Sequence, residues 1–433
     1  MVPHLTTALS GPLFELEKKM LDAQPAIEFW LRQQWQEHAS PFYTSVDLRN
    51  AGFKLAPVDT NLFPGGFNNL NPDFMALCVH AAMSGLERIC SNAQRLVIIP
   101  ESHTRNLYYL KNVAVLAGIL RQAGLMVRIG SLLPDITEPT TLDLPHGGRL
   151  TLEPLTRSGN RLMVGEDFDP CAVLLNNDLS AGVPDILKGI DQTIMPPLYA
   201  GWHQRRKSRH FAAYKRVAED FSKLLNIDPW FIDPYFEHCG KIDFQARTGE
   251  GCLADKVAGM LSRIREKYRE HGISQEPFVI VKADAGTYGM GIMSVKSPDD
   301  VKDLNRKQRN KMAVVKEGLE VTEVLIQEGV PTFESINEAV AEPVVYMIHH
   351  YVVGGFYRVH TGRGPEENLN SPGMHFVPLA FEGACQLPDR SMSPDAVPNR
   401  FYAYGVIARL AMLAASMELD ETLNEMAAAG KPA

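Results

Sequence analysis

The chain is 433 residues long, 45% hydrophobic and 22% charged, enough apolar material for a large core and two or three domains. Its formal net charge of −8 excludes a general nucleic-acid binder, but not a local basic site for a phosphorylated ligand. No basic segment followed by an apolar run opens the chain, and the best candidate for a membrane span, Val406 to Met417, is broken by Arg409; a cytoplasmic protein with no membrane partner is expected. The six cysteines (Cys78, Cys90, Cys171, Cys239, Cys252 and Cys385) form no Cys-x-x-Cys and read as scattered reduced thiols, not as a disulfide frame or a zinc site.

In chain order, Leu13 to Glu37 has helical periodicity interrupted at Pro25. From Ser45 to Asn69, charged and amide side chains are set among Gly, Pro and apolar residues, which predicts a ligand-binding loop. Arg49 and Lys54 would hold a carboxylate there and Asp59 an ammonium group, with Asn61 and Asn68 beside them; that combination suits an amino acid. A solvated loop capped by asparagines is the plainer reading. Pro72 to Cys90 reads as helix and Arg95 to Pro100 as buried strand. Asn106 to Ala123 reads as a second helix and Leu125 to Ile129 as a second strand, so a parallel sheet is predicted. Ligands bind beyond the carboxyl ends of such strands, where Glu101, His103 and Arg105 fall, although His103 reads equally as a structural histidine. Residues 134–170 suggest a hairpin excursion, and Cys171 to Asp178 a further strand ending in polar groups.

Pro196–Pro197 marks a boundary. The basic run Arg205-Arg206-Lys207-Ser208-Arg209 lies between Trp202 and Phe211, which points part of it, through Lys207, at a pocket instead of solvent; its helix runs to about Leu225. A short strand is predicted at Trp230 to Pro234 and a charged helix from Cys252 to His271. Then comes Phe278-Val-Ile-Val-Lys282-Ala-Asp-Ala-Gly286-Thr287-Tyr-Gly289-Met-Gly291-Ile-Met-Ser-Val295, which reads as strand, glycine loop, strand. Glycines leave backbone N–H groups bare to an anion, and Lys282 points a cation at the same place. No Gly-Lys-Ser/Thr follows and no helix follows the loop, so it is neither of the two commoner phosphate loops. A glycine-rich hairpin with a surface lysine is the alternative. Val301 to Lys311 is predicted helical, Val324 to Val330 is a strand carrying Gln327-Glu328-Gly329, and residues 344–353 and 356–360 form a hairpin turning at Gly354–Gly355. Arg400 to Met426 closes the chain as a helix.

The carboxyl-terminal half resembles an ATP-grasp ligase, through Lys282, the Gly286–Gly291 loop, Gln327-Glu328-Gly329, and Arg358 ahead of Glu366-x-Asn368. The whole chain resembles more closely a less common bacterial type of glutamate–cysteine ligase. The shared blocks are Asp59 to Asn69, Val281 to Gly291 and Glu366 to Pro372. The resemblance implies an α/β fold, with an amino-terminal parallel-sheet domain (1–195) preceding an ATP-grasp domain (196–433) of two α+β lobes, 196–275 and 276–433. It implies ATP and Mg2+ as cofactors. Lys282, Gly286, Thr287, Gly289, Gly291 and Lys207 would lie on the phosphates, and Gln327 and Glu328 at the adenine. Lys282 and Arg358 would be catalytic, and Glu342, Glu366 and Asn368 the metal ligands. Oxygen ligands alone favour magnesium over zinc. The implied reaction joins the glutamate γ-carboxylate to cysteine through an acyl phosphate, the first step of glutathione biosynthesis. Another ATP-grasp ligase such as a glutathione synthetase, a kinase, or a nucleotide-binding sensor are the alternatives. The expected partners are small molecules, with no nucleic acid, and a homo-oligomer is compatible with the sequence.

Overall fold

The first helices of the described chain are α1 (Pro12–Asp22) and α2 (Gln24–Glu37), each with proline in its first turn, where the missing N–H breaks no helical bond. The computed structural model describes residues 5–6, 11–102, 106–286, 291–313, 320–379 and 400–430. His103, Arg105, Thr287, Gly289 and Cys385 lie outside them. Ahead of α1 is a two-residue strand, β1 (Leu5–Thr6). After α2 the polar stretch expected to be a loop is largely a β-hairpin, β2 (Tyr43–Asn50) and β3 (Leu55–Asn61). Helix α3 (Met75–Ile89) follows, then β4 (Arg95–Pro100), α4 (Leu107–Gln122), β5 (Met126–Ser131), the excursion β6 (Thr140–Asp143), β7 (Arg149–Ser158) and β8 (Arg161–Val164), and β9 (Ala172–Asn176) and β10 (Thr193–Met195). Next come α5 (Lys207–Leu225), β11 (Phe236–Gly240), α6 (Glu250–Glu270), β12 (Val279–Ala283), β13 (Ile292–Val295), the short helices α7 (Asp299–Lys302) and α8 (Arg306–Ala313), and β14 (Glu323–Glu328). The chain ends with β15 (Ser335–Ile336), β16 (Ala339–Ile348), β17 (Tyr351–His360), β18 (His375–Pro378) and α9 (Arg400–Ala428).

The strand expected at 230–234 is a 3-10 turn, Pro229–Phe231, because the Asp228 side chain accepts the Trp230 amide and caps it. The hairpin expected to turn at Gly354–Gly355 turns instead at His349–His350, and both glycines lie inside β17. A Cβ on Gly355 would meet the Val344 carbonyl oxygen at 2.4 Å, so this glycine serves close strand contact, not a turn.

These elements form a mixed α/β structure with three sheets. The central one is antiparallel: β3, β2, β16, β17 and β18 are neighbours in that order, and β15 and β1 extend beside the start of β16. The second runs β10-β9-β4-β5-β7-β6, parallel from β10 through β7 and antiparallel at its edge. The third, β11-β14-β12-β13, is antiparallel and packs on α6. The boundaries expected at 195/196 and 275/276 therefore do not separate the sheets. The hairpin at 43–61 and β1 belong to a sheet otherwise built from residues 335–378, and β11 shares a sheet with β12 to β14.

Alternation across the central sheet decides what faces where. Val46, Leu48, Val345, Met347 and Val359 point to one side, into a core made with α1, α2, α5 and α9. Helix α9 is buried on every side from Tyr402 to Ala415, which is why the run is apolar apart from Arg409, whose guanidinium pairs with Glu28. Among the described residues no helix is long and apolar enough to cross a membrane. The other side of the central sheet faces a cavity.

Candidate active site

One cavity of about 940 Å³ gathers all three sheets. From the central sheet mainly alternate residues line it: Ser45, Asp47 and Arg49 on β2, Asp59 and Asn61 with Val58 on β3, Glu342, Val344 and Tyr346 on β16, and Phe356 and Arg358 on β17. Asp47 and Asp59 are directly opposed across the β2–β3 pair, as are Ser45 and Asn61, so the two carboxylates and the amide share one face of the hairpin. The third sheet contributes Ile280, Lys282, Gln327 and Glu328, with Phe278 and Val330 beside them. The parallel sheet contributes the residues at the carboxyl ends of β4 and β9.

Positive charge converges on the middle of this cavity. The Lys282 amine donates to the Val58 carbonyl at 2.6 Å and to Gln327 Oε1 at 2.9 Å. Burial, opposed by Asp59 and assisted by Lys207, lowers its pKa to about 8. Lys207, at the start of α5, pairs with Asp59 at 2.6 Å over the ring of Trp202. Burial alone would raise the Asp59 carboxyl, but Lys207 and Lys282 outweigh it and hold the group well below the usual carboxylate range. The rest of the basic run is committed elsewhere, Arg205 to Glu418, Arg206 to Glu323 and Arg209 to Glu425. Arg358 donates to Asp47 at 3.0 Å and to Glu342, and these two anions outweigh burial and raise its pKa. Asp47 is pushed upward by burial against the pull of Arg358. Among the described residues, Arg358 Nε and Gln327 Nε2 are buried donors with no acceptor. Buried donors beside two lysines fit an anionic group such as a polyphosphate. Asp47, Asp59 and Asn61 face them with the oxygen donors a hard divalent cation takes, engaged in this structure by Arg358, Lys207 and the Phe63 amide respectively.

The expected residues are distributed as follows. Lys282, Lys207, Gly286, Gln327, Glu328, Arg49, Asp59, Asn61, Asn68, Arg358, Glu342, Glu366 and Asn368 all line the cavity. Gly286 does so in a left-handed conformation, φ +99°. Gly291, φ +61°, closes the other side of the loop by accepting the Ala283 amide at 3.1 Å, and is not in the wall. Lys54 is not in the wall either. It is fully buried, 2.7 Å from Glu328 and stacked over Trp230, so the expected carboxylate grip on substrate does not form there. Glu328 receives Lys54, the Trp230 indole N–H at 3.0 Å and the Tyr235 amide at 3.0 Å, which leaves its side chain a structural anchor under the cavity. Arg49 pairs with Glu342 and donates to the Pro365 and Glu367 carbonyls, holding the 365–367 segment in place.

The three expected metal ligands are not assembled as a set. Glu342 lies between two arginines, Glu366 pairs with Lys296 at 2.5 Å, and Asn368 Oδ1 accepts the Asn370 amide at 3.0 Å. The two groups of acidic and imidazole side chains that could share an ion among the described residues, Asp228–Glu270–His271 and His238–Asp284–Glu323, lie elsewhere. Lys267 occupies the first, at 2.8 Å from Asp228, and Ser208 engages both oxygens of Asp284 in the second. The residue that sequence reasoning passed over is Asp47, whose signal was alternation with Val46 and Leu48. No described cysteine lines the cavity. Cys239 and Cys252, far from adjacent in sequence, bring their sulfurs to 3.8 Å as free thiols.

A candidate γ-glutamylcysteine synthetase of solved structure, from Methylobacillus flagellatus KT, is 67% identical, with TM-score 0.90, over 98% of this chain and 99% of that one. A glutathione synthetase-like effector from Globodera pallida, in its apo form, is 10% identical over 87% of this chain and 84% of that one; its TM-score of 0.39 is too low for anything to follow from it. No curated protein matches the chain. The family described as glutamate-cysteine ligase is matched over residues 17–419, nearly the whole length, and the chain belongs to that family.

Proposed function

We infer that the chain catalyses the reaction of its family, ATP-dependent joining of glutamate to cysteine, at the cavity described above. The observation that carries this reading is the meeting of two unlike sets of groups in one cavity. Lys282, Lys207 and Arg358 supply positive charge for a polyphosphate, and the parallel-sheet end supplies amide and carboxylate groups of the kind that read amino acids. The arrangement supports an ATP-grasp reading in which β11 to β14 form one lobe and the central sheet the other. The nucleotide base would lie against Phe278, Ile280 and Val330.

A carboxylate is not attacked by an amine until one oxygen becomes a leaving group. In the proposed course the glutamate γ-carboxylate oxygen attacks the terminal phosphorus and ADP departs. The cysteine amine then attacks the acyl carbon, and phosphate departs with the bridging oxygen. The protein's part is to place charge around the moving phosphoryl group. Lys282 and Lys207 hold phosphate oxygens, and Arg358 faces the group in transfer. We assign divalent-cation binding to Asp47, Asp59 and Asn61 in place of Glu366 and Asn368. Magnesium bound there would neutralise charge on the phosphates. No described cysteine stands in the wall, so the described residues offer a thioester route no nucleophile.

An ADP-release assay across pairs of amino acids tests the reading. ADP formed in step with a γ-glutamyl–cysteine bond, only when glutamate and cysteine are both present, is the expected result. ADP formed without an amine acceptor would indicate a kinase, and little ADP with any pair a sensor.

A further inference from the structure

No described cysteine lines the cavity, yet two of them meet where β11 packs on α6. Cys239 lies in β11 and Cys252 in the first turn of α6. Their sulfurs are 3.8 Å apart and both are free thiols. The chain between them is held at several points. Asp243 and Thr248 exchange backbone hydrogen bonds of 3.0 Å in both directions, and the Ile242 amide donates to the Thr322 carbonyl at 3.0 Å. Lys256, one turn on from Cys252, donates its amine to the His238 carbonyl, beside Cys239. These bonds hold strand and helix together at the two sulfurs. The two thiols differ in access. Cys252 is exposed, whereas Cys239 is 1% exposed. Burial, with the Cys252 sulfur beside it, pushes the Cys239 thiol upward. Of this pair a reagent from solvent reaches Cys252 first, and Cys239 stands behind it, placed to attack whatever sulfur Cys252 comes to carry.

We propose that Cys252 and Cys239 form a thiol–disulfide exchange site that takes small-molecule disulfides. The Cys252 sulfur loses its proton and attacks one sulfur of the disulfide. That sulfur–sulfur bond breaks, and one thiol leaves with a proton. The Cys239 sulfur then attacks the Cys252 sulfur, the mixed disulfide breaks, and the second thiol leaves with the proton from Cys239. Two electrons pass from the protein's thiols to the small disulfide, and the protein gains a Cys239–Cys252 bridge. Such a bridge needs its sulfurs at about 2 Å. The pair starts in van der Waals contact, and the exposed Cys252 side chain supplies the rotation that remains. The bridge ties β11, which pairs with β14, to the helix that covers the sheet, and closes the 239–252 segment into a covalent loop. A loop of that kind restricts the unfolded chain and so favours the folded one. The site stands apart from the ligase reading, because neither cysteine lies in the cavity wall.

The probe is glutathione disulfide in excess over the folded wild-type protein, followed by alkylation of the remaining thiols and peptide mass mapping. The expected product is a linked pair of peptides carrying Cys239 and Cys252, lighter by two hydrogens, with a raised Tm and with both thiols restored by dithiothreitol. Cys239→Ser should stop at one glutathionyl group on Cys252. Cys252→Ser should leave Cys239 a free thiol. Cys239 and Cys252 both alkylated after treatment of the wild-type protein would overturn the proposal whether or not a variant folds. So would a glutathionyl group that persists on Cys252 of the wild-type protein, or a bridge that joins either residue to another cysteine.

Discussion

Lys282 carries a charge that its surroundings resist and that polyphosphate binding needs. Burial lowers its pKa from 10.5 to about 8, against the pull of Asp59. Between those values the unfolded chain holds a proton that the native side chain has lost, so this group's contribution to stability rises with pH across that window. Phosphate binding runs the other way, since only the charged amine attracts an anion. Calorimetric ATP affinity should therefore fall above about pH 8, by up to roughly tenfold per pH unit. Lys282→Arg, charged throughout, should flatten that profile, and equal profiles in both proteins would remove the assignment. Lys282→Ala should lose turnover and most ATP affinity while still unfolding cooperatively. That Lys282 faces a cavity is one of two readings the sequence offers for a lysine ending a β-branched run ahead of three glycines, and its burial in the cavity wall removes the surface-lysine alternative. Lys54 was misread because charge type alone does not say whether a lysine faces a ligand or, as here, a buried glutamate.

At the scale of elements the β2–β3 hairpin is decisive. Its strands carry Asp47, Asp59 and Asn61 into the cavity, and its connection carries Lys54 into the ion pair under β14. Asp47→Asn and Asp59→Asn should each raise the magnesium concentration for half-maximal activity by on the order of tenfold, through loss of a carboxylate ligand. Glu366→Gln, which removes only a rim ion pair with Lys296, should leave that requirement unchanged; the opposite ranking would return the cation to the 366–368 segment. Lys54→Met strands a buried carboxylate and should destabilise the protein by about 3–5 kcal/mol in urea denaturation. Lys54→Met with Glu328→Gln should lose less than the sum of the single changes, and the glutamate KM should hold in Lys54→Met. A raised glutamate KM with full stability would restore Lys54 to the substrate site. The hairpin passed for a loop because Gly52, Pro57 and the density of polar groups argue for one. Those polar groups are strand residues facing a cavity, and the apolar residues between them face α9 and its neighbours.

At the scale of the molecule, most helices and the parallel sheet follow local periodicity and were legible. The pairing of β2 with β16 was not, since nothing local announces that strands some three hundred residues apart are neighbours. That pairing folds the acidic hairpin, which precedes the parallel sheet in the chain, back beside Arg358. The site thus depends on both ends of the described chain, and its central claim is transfer of phosphate to glutamate before the amine attacks. Glutamate labelled with oxygen-18 in the γ-carboxylate tests this most directly, by mass analysis of the phosphate released during turnover with cysteine and ATP. One labelled oxygen per phosphate, with ADP as the nucleotide product, is the expected result; unlabelled phosphate, or AMP with pyrophosphate, would contradict it.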